Sequence, residues 1–317
     1  MNRLLAYLQL MRLPNVFTAM SDVFMGFLIA RGTLAEWREF LPLLAASSCI
    51  YLGGMVWNDW FDIEVDRAER PSRPLPSGRV PVRHALVLGV VLLAAGLAAA
   101  VLAGPTSRNV AALLVVCVLL YDGALKGTVL GPIAMGACRA LNVLLGLSNV
   151  PNTIWLPGHE QGAARFGTMV AAGLGLYVMG VTRFARREAE QSPRVELTST
   201  TLGINLGLLL LAMTAPHLRE WTIVVPVEAM HESLVPFAYP TAVALWLSVV
   251  LAANAMVWRA LIDSQPSKIQ AAVKTCIMAI IAIDAAVVAL VCGPIWAVAV
   301  LVLLLPSLTL GRWVYST

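Results

Sequence analysis

The sequence predicts an all-α integral membrane protein, a bundle of nine to ten transmembrane helices. Three observations predict it. Hydrophobic residues fill 59% of the 317 positions and charged residues only 13%. That is about half the charge of an ordinary soluble domain, too little to coat a soluble globule of this size, and far too apolar a chain for disorder. The mean hydropathy is +0.79. The apolar residues also run long and unbroken, unlike the alternating segments of ~10 residues that build a membrane β-barrel. In lipid such runs must satisfy their backbone internally, which leaves helices.

Taken in order, ten runs approach the ~17–25 residues that cross a bilayer. They lie at roughly 15–30, 41–58, 84–103, 109–124, 129–148, 166–184, 199–215, 236–257, 272–292 and 295–314. Only Gly293 and Pro294 separate the last two, so that pair reads as two spans or as a re-entrant pair. No soluble domain interrupts the series, and 1–317 reads as one unit. Residues 1–30 are not expected to be a signal peptide: the first strong run starts after Arg12-Leu13-Pro14-Asn15, and no small-x-small site closes it.

The basic residues set the orientation. With ten spans and a cytoplasmic N-terminus, sixteen of the 22 Lys and Arg fall in inside loops, five fall outside, and Arg139 lies within a span. This bias places the arginine-rich segments 58–83 and 183–198 in the cytoplasm, or its equivalent beside a bacterial inner membrane. A net charge of +4 gives no reason to expect nucleic acid. The five cysteines sit in apolar runs without a CxxC, and the four histidines are scattered, so neither a redox nor a zinc site is expected.

Chemistry concentrates after the second span. Asn58, Asp62 and Asp66 recur every four residues, so on a helix they share one face. Arg70 extends the row if the helix continues, and Pro71 ends it. One amide and two carboxylates offer only hard oxygen ligands, which suit Mg²⁺ shared with a substrate phosphate. Arg70 and Arg73 are the forked donors such a phosphate would meet. Carboxylates at the mouth of a transmembrane helix are costly and mark function more often than a plain charged helix end does. Asp59 and Glu64 fall off the face and read as solvated or supporting residues.

Asn58-x3-Asp62-x3-Asp66-x3-Arg70, followed by Arg73-Pro74-Leu75-Pro76-Ser77-Gly78, resembles the first signature of the UbiA-type intramembrane prenyltransferases. Arg12-Leu13-Pro14-Asn15, the stretch from Tyr121 to Lys126, and Gly136-x2-Arg139-x2-Asn142 are family-like too, so the resemblance covers nearly the whole chain. In detail it resembles the EboC-like branch. The resemblance implies a helical bundle around a central cavity open to the cytoplasm. There, two acidic motifs bind Mg²⁺ and the diphosphate of a polyprenyl donor, and an acceptor that the sequence does not name attacks the allylic cation. It implies catalytic or metal roles for Asn58, Asp62, Asp66 and Arg70. It implies substrate contacts for Arg73, Tyr177 and Asn15. Tyr121 and Lys126 read either as a hydroxyl and an ammonium near the diphosphate or as an interfacial belt residue and a snorkelling lysine, and Arg139 with Asn142 either as cavity residues or as a buried structural pair.

The second motif departs from the family pattern. Tyr177 is kept, but Val181, Thr182 and Ala185 stand where a lysine and two aspartates are usual, and only Glu188 offers a carboxylate. Glu188 is therefore the candidate for a reduced second metal site. Arg183, Arg186 and Arg187 read either as direct diphosphate ligands or as topogenic anchors. Two other functions stay open at this point: a lipid- or diphosphate-binding transporter, and a scaffold that binds donor without transferring it. Among lesser candidates, Asp22 and Asp284 are intramembrane acids, one expected near Asn15 and the other structural.

Overall fold

The computed structural model describes residues 3–148, 161–186, 194–214, 235–263 and 265–314. Thirteen α-helices and no strands are present among them. They are α1 (Arg3–Leu10), α2 (Val16–Arg31), α3 (Trp37–Phe61), α4 (Ile63–Glu69), α5 (Val82–Ala103), α6 (Pro105–Leu120), α7 (Gly131–Leu147), α8 (Gln161–Ala185), α9 (Arg194–Ala212), α10 (Val235–Ile262), α11 (Pro266–Cys292), α12 (Pro294–Leu301) and α13 (Leu304–Trp313). Local sequence sets the breaks. Gly32 ends α2 in the left-handed region at φ 71°. Gly104-Pro105 and Gly293-Pro294 each stop one helix with glycine and start the next with proline.

Eight helical segments among the described residues are long and apolar enough to cross a membrane, and two more, Gly131–Leu147 and Thr201–Ala212, are apolar but shorter. The chain is thus an all-α, multi-pass integral membrane protein, and these ten segments match the ten apolar runs in order. For the last pair, 294–313 is by itself 20 residues long, enough for a separate span.

Successive helices pack as a closed series: α2 on α3, α3 on α5, α5 on α6, α6 on α7, α7 on α8, α8 on α9, α9 on α10, α10 on α11, and α11 back on α2. The helices α2 and α11 are the inner ones, with 67% and 72% of their apolar windows buried, against 17% for the final span. Small residues permit the closest approaches. A Cβ on Gly175 of α8 would lie 2.9 Å from the Gly136 carbonyl of α7, and one on Gly207 of α9 would lie 2.4 Å from the Tyr177 nitrogen of α8.

One apolar cluster fills the half built by α2 and α7 to α12, and a second fills the half built by α2, α3, α5, α6 and α7. A third is small but positions the site. Ala6 and Leu10 of α1, Val56 of α3, and Leu75, Val80 and Ala85 come together beneath the segment joining α4 to α5.

Candidate active site

The row begins in the last turn of α3. Asp62 N–H donates to the Asn58 carbonyl at 3.1 Å, Asp66 N–H to the Asp62 carbonyl at 2.8 Å, and Arg70 N–H to the Asp66 carbonyl at 2.9 Å. One-turn stacking of Asn58, Asp62 and Asp66 therefore survives the bend at Asp62, where ψ is 1° and α3 gives way to α4. It fails at Arg70. The residue before a proline is driven toward extended conformations; Arg70 leaves the helix at φ −140° and its side chain is exposed. Arg70 is corrected from a member of the row to its exposed cap.

A second wall faces the row. Beyond α6 the chain makes one π turn, Tyr121–Leu125, closed by Lys126 N–H donating to the Tyr121 carbonyl at 2.8 Å. Such widened turns cluster at functional sites because they re-aim side chains. Here the turn presents Asp122 and Lys126 to α3. Asn58 Nδ2 donates to Asp122 Oδ1 at 2.8 Å, and Lys126 Nζ pairs with Asp62 Oδ2. A third rung follows one turn on, where Arg73 Nη1 lies 2.7 Å from Asp66 Oδ2.

The segment carrying Arg73 is a folded strap. Ser77 N–H and Oγ both donate to the Arg73 carbonyl, at 3.1 and 2.6 Å, and Val80 N–H donates to the Pro74 carbonyl at 3.1 Å. Gly78 supplies the turn at φ 72°, which a side chain would resist. Leu75 and Val80 sink into the apolar cluster below. The Arg-Pro-Leu-Pro-Ser-Gly spacing thus builds a tight loop that holds Arg73 inward.

Arg12 comes from the other side. It is the one non-glycine residue at positive φ among those described, at 47°, a conformation that costs about 1–3 kcal/mol and clusters at functional sites. The turn aims its guanidinium at Asp59 Oδ1, 3.0 Å away, and at Asn58 Oδ1, 3.4 Å away. Asp59 also lies 3.6 Å from Arg73. Asp59 is buried, so the solvated reading of it is corrected: it ties Arg12 and Arg73 together behind the row. Glu64 is exposed and pairs with Arg67 at 2.6 Å.

The end of α8 reaches the same place. Arg186 donates to the Lys126 carbonyl and, at 2.6 Å, to the Thr128 carbonyl. It braces the loop that carries Lys126. Gly131 makes room for it, since a Cβ there would stand 1.8 Å from Arg186 Nη2 and 2.7 Å from the Leu125 carbonyl. Gly131→Ala is therefore expected to expel Arg186 from the Lys126 and Thr128 carbonyls and to loosen that loop. Amide hydrogen exchange on the purified protein checks this, and unchanged protection of residues 126–131 would refute a bracing role.

Other candidates sit elsewhere. Arg183 is exposed, and Arg187 and Glu188 lie outside the described residues. Tyr177, expected to contact substrate, is fully buried, and its hydroxyl donates to the Cys276 carbonyl at 2.9 Å. Arg139 and Asn142 meet a buried acid, the second of their two sequence readings. Arg139 Nε lies 2.7 Å from Asp22 Oδ2, and Asn142 Nδ2 donates to Asp22 at 2.8 Å and to the Ala19 carbonyl at 2.9 Å. They compensate a buried acid on α2. Asn15 caps the top of α2, where its carbonyl accepts from Thr18 Oγ1 at 2.8 Å. Arg12, Asp59 and Asp122 are site residues that spacing alone did not single out. The available signals were their adjacency to Leu13-Pro14-Asn15, Asn58 and Tyr121.

Among the described residues no three His, Cys, Asp or Glu stand together at metal-holding distance. The row instead supplies oxygen donors in steps of one turn, with Asp122 opposite. This donor set fits Mg²⁺, which keeps several waters and takes one or two protein carboxylates beside substrate phosphates.

Comparison with known proteins places the fold. Residues 19–273 match the UbiA prenyltransferase family. Relatives include the digeranylgeranylglyceryl phosphate synthases of Sulfurisphaera tokodaii, 34% identical over 44% of this chain and 51% of theirs, and of Sulfolobus acidocaldarius, 44% identical over 38% and 42%. The chain thus spans about half the length of these curated relatives. A solved digeranylgeranylglyceryl phosphate synthase superposes with a TM-score of 0.62 at 20% identity, over 92% of this chain and 99% of that one. A UbiA homologue from Archaeoglobus fulgidus, bound to DMAPP and Mg²⁺, superposes with a TM-score of 0.57 at 16% identity, over 88% and 98%. At these identities the likeness carries the fold. The family match over most of the sequence carries the kinship, and the chain belongs to the UbiA prenyltransferase family.

Proposed function

We propose that this protein is a membrane prenyltransferase that moves an isoprenoid from a polyprenyl diphosphate to an acceptor with the help of Mg²⁺. The observation that carries the reading is a contrast between two ion pairs in one row. The Asp66–Arg73 side chains are 4% and 7% exposed, while Asp62 and Lys126 are 24% and 34% exposed. The first pair is a fixed part of the wall. The second is open to exchange, so an arriving diphosphate takes Lys126 and frees Asp62.

In this reading Asn58, Asp62 and Asp66 would hold Mg²⁺, which would supply neutralising charge to the leaving diphosphate. Arg73 Nη1 takes Asp66 Oδ2 at 2.7 Å. Lys126 binds diphosphate oxygens, and Arg186 steadies its loop from behind. Arg183, Arg187 and Glu188 follow on the donor side, with Glu188 as the remaining carboxylate of the altered second motif. The allylic C–O bond breaks, diphosphate leaves with the electron pair, and the acceptor attacks the cation and loses its proton. The apolar bundle excludes the water that would quench that cation. The relatives' name makes a glyceryl phosphate carrying one geranylgeranyl chain the first acceptor to assay.

The test is turnover of radiolabelled prenyl diphosphate by membranes containing the protein, with Mg²⁺ or with EDTA. Mg²⁺-dependent label in an extractable product supports transfer. Tight donor binding with no release of diphosphate under any acceptor would favour the binding scaffold. The charge bias supports a site on the cytoplasmic side, so reporter fusions at Ser77 and Glu190 are expected on the cytoplasmic side and at Gly158 and Glu228 on the opposite side. If Ser77 and Glu190 fell on opposite sides, they could not serve one site.

A further inference from the structure

Deep in the bundle, away from the aspartate row, lies a second charged cluster that the proposed transfer reaction does not use. Asp22 of α2 and Asp284 of α11 are both 0% exposed, on helices packed against each other, and their carboxyls are close enough to interact. Asp22 Oδ2 takes Asn142 Nδ2 at 2.8 Å and faces Arg139 Nε at 2.7 Å. Asp284 Oδ2 takes Ser21 Oγ at 2.5 Å. The Oδ1 atom of each acid is buried with no protein donor among the described residues. Arg139, whose other nitrogens bond Thr18, is the one cation in the group.

Two adjacent like charges in an apolar interior repel too strongly for both to stay ionised. Both ionised against one guanidinium would leave a net charge of −1 buried among α2, α7 and α11. With one proton the cluster is neutral, and a proton between the two carboxyls gives their unpartnered Oδ1 atoms one shared hydrogen bond. We propose that Asp22 and Asp284 form an intramembrane proton-binding site, holding one proton between them opposite Arg139. The site joins the inner helices α2 and α11, and its stability role stands whether or not the protein transfers prenyl groups.

The test is infrared spectroscopy of the intact protein in nanodiscs, in H₂O and D₂O, comparing wild type with Asp22→Asn and Asp284→Asn. The wild type is expected to show a protonated-carboxyl C=O band, shifted in D₂O, that each single variant loses, since the remaining acid then pairs with Arg139 as a carboxylate. Charge arithmetic adds a second readout. Each single variant stays neutral and melts close to wild type, whereas Asp22→Asn/Asp284→Asn strands Arg139 and lowers the melting midpoint by about 5–10 °C beyond the sum of the singles. Adding Arg139→Gln to the double variant restores neutrality and is expected to recover most of that loss. A wild-type spectrum from which neither single variant removes a band overturns the proposal, as does a melting midpoint that rises with added Na⁺ only when both acids are present, which would make the occupant a metal cation.

Discussion

Asp62→Asn is expected to abolish prenyl transfer, lowering turnover by at least ~100-fold, about 2.7 kcal/mol of barrier. The side chain keeps its shape, so packing is unchanged, but it loses the charge that competes for Mg²⁺. Its present partner, Lys126, is a third exposed, so losing the pair strands no buried cation. The variant should accumulate in the membrane and melt close to wild type. Turnover assays across a Mg²⁺ titration check this, and wild-type activity with an unchanged Mg²⁺ midpoint would remove Asp62 from the metal site. Asp66→Asn should also lose transfer, but less cleanly, because Asp66 anchors the buried Arg73.

Arg73→Ala is expected to be the most destabilising single change at the site, by about 3–5 kcal/mol, because it leaves the buried Asp66 carboxylate without its cation. One nitrogen of Arg73 serves both Asp66, at 2.7 Å, and Asp59, at 3.6 Å. Without it the strap from Ser72 to Val80 loses its inward tether, although Leu75 and Val80 still bind it to the apolar cluster below. Limited proteolysis should therefore open the strap before the bundle unfolds, and the melting midpoint in detergent should fall. Arg73→Lys keeps the charge and should recover part of the loss. If Arg73→Ala melted like wild type, the strap would be held by its apolar contacts alone.

The sequence by itself determined the membrane class, the ten apolar segments and the one-turn stacking of Asn58, Asp62 and Asp66, because each rests on local composition or local period. A run of ~20 apolar residues has few alternatives in lipid, and i, i+4 spacing on a helix needs no partner to be true. Local signals also foretold Pro71 as the end of the row. Tertiary structure alone decided which charges meet. Asp59 falls off the row's face by spacing, yet Arg12 and Arg73 arrive from distant segments and make it the buried tie behind the site. Asp122 was hidden because one π turn re-aims it, and the register of that turn is set by packing on α3 and α7. Arg139 and Asn142 carried a family-like spacing but were claimed by Asp22, since a buried carboxylate takes whatever donors lie within reach and the bundle closes α7 against α2. Periodicity states which face a residue occupies. The partner across that face is chosen by helices far away in sequence, and in an interior this apolar the partner decides whether a charge serves the site or only balances another charge.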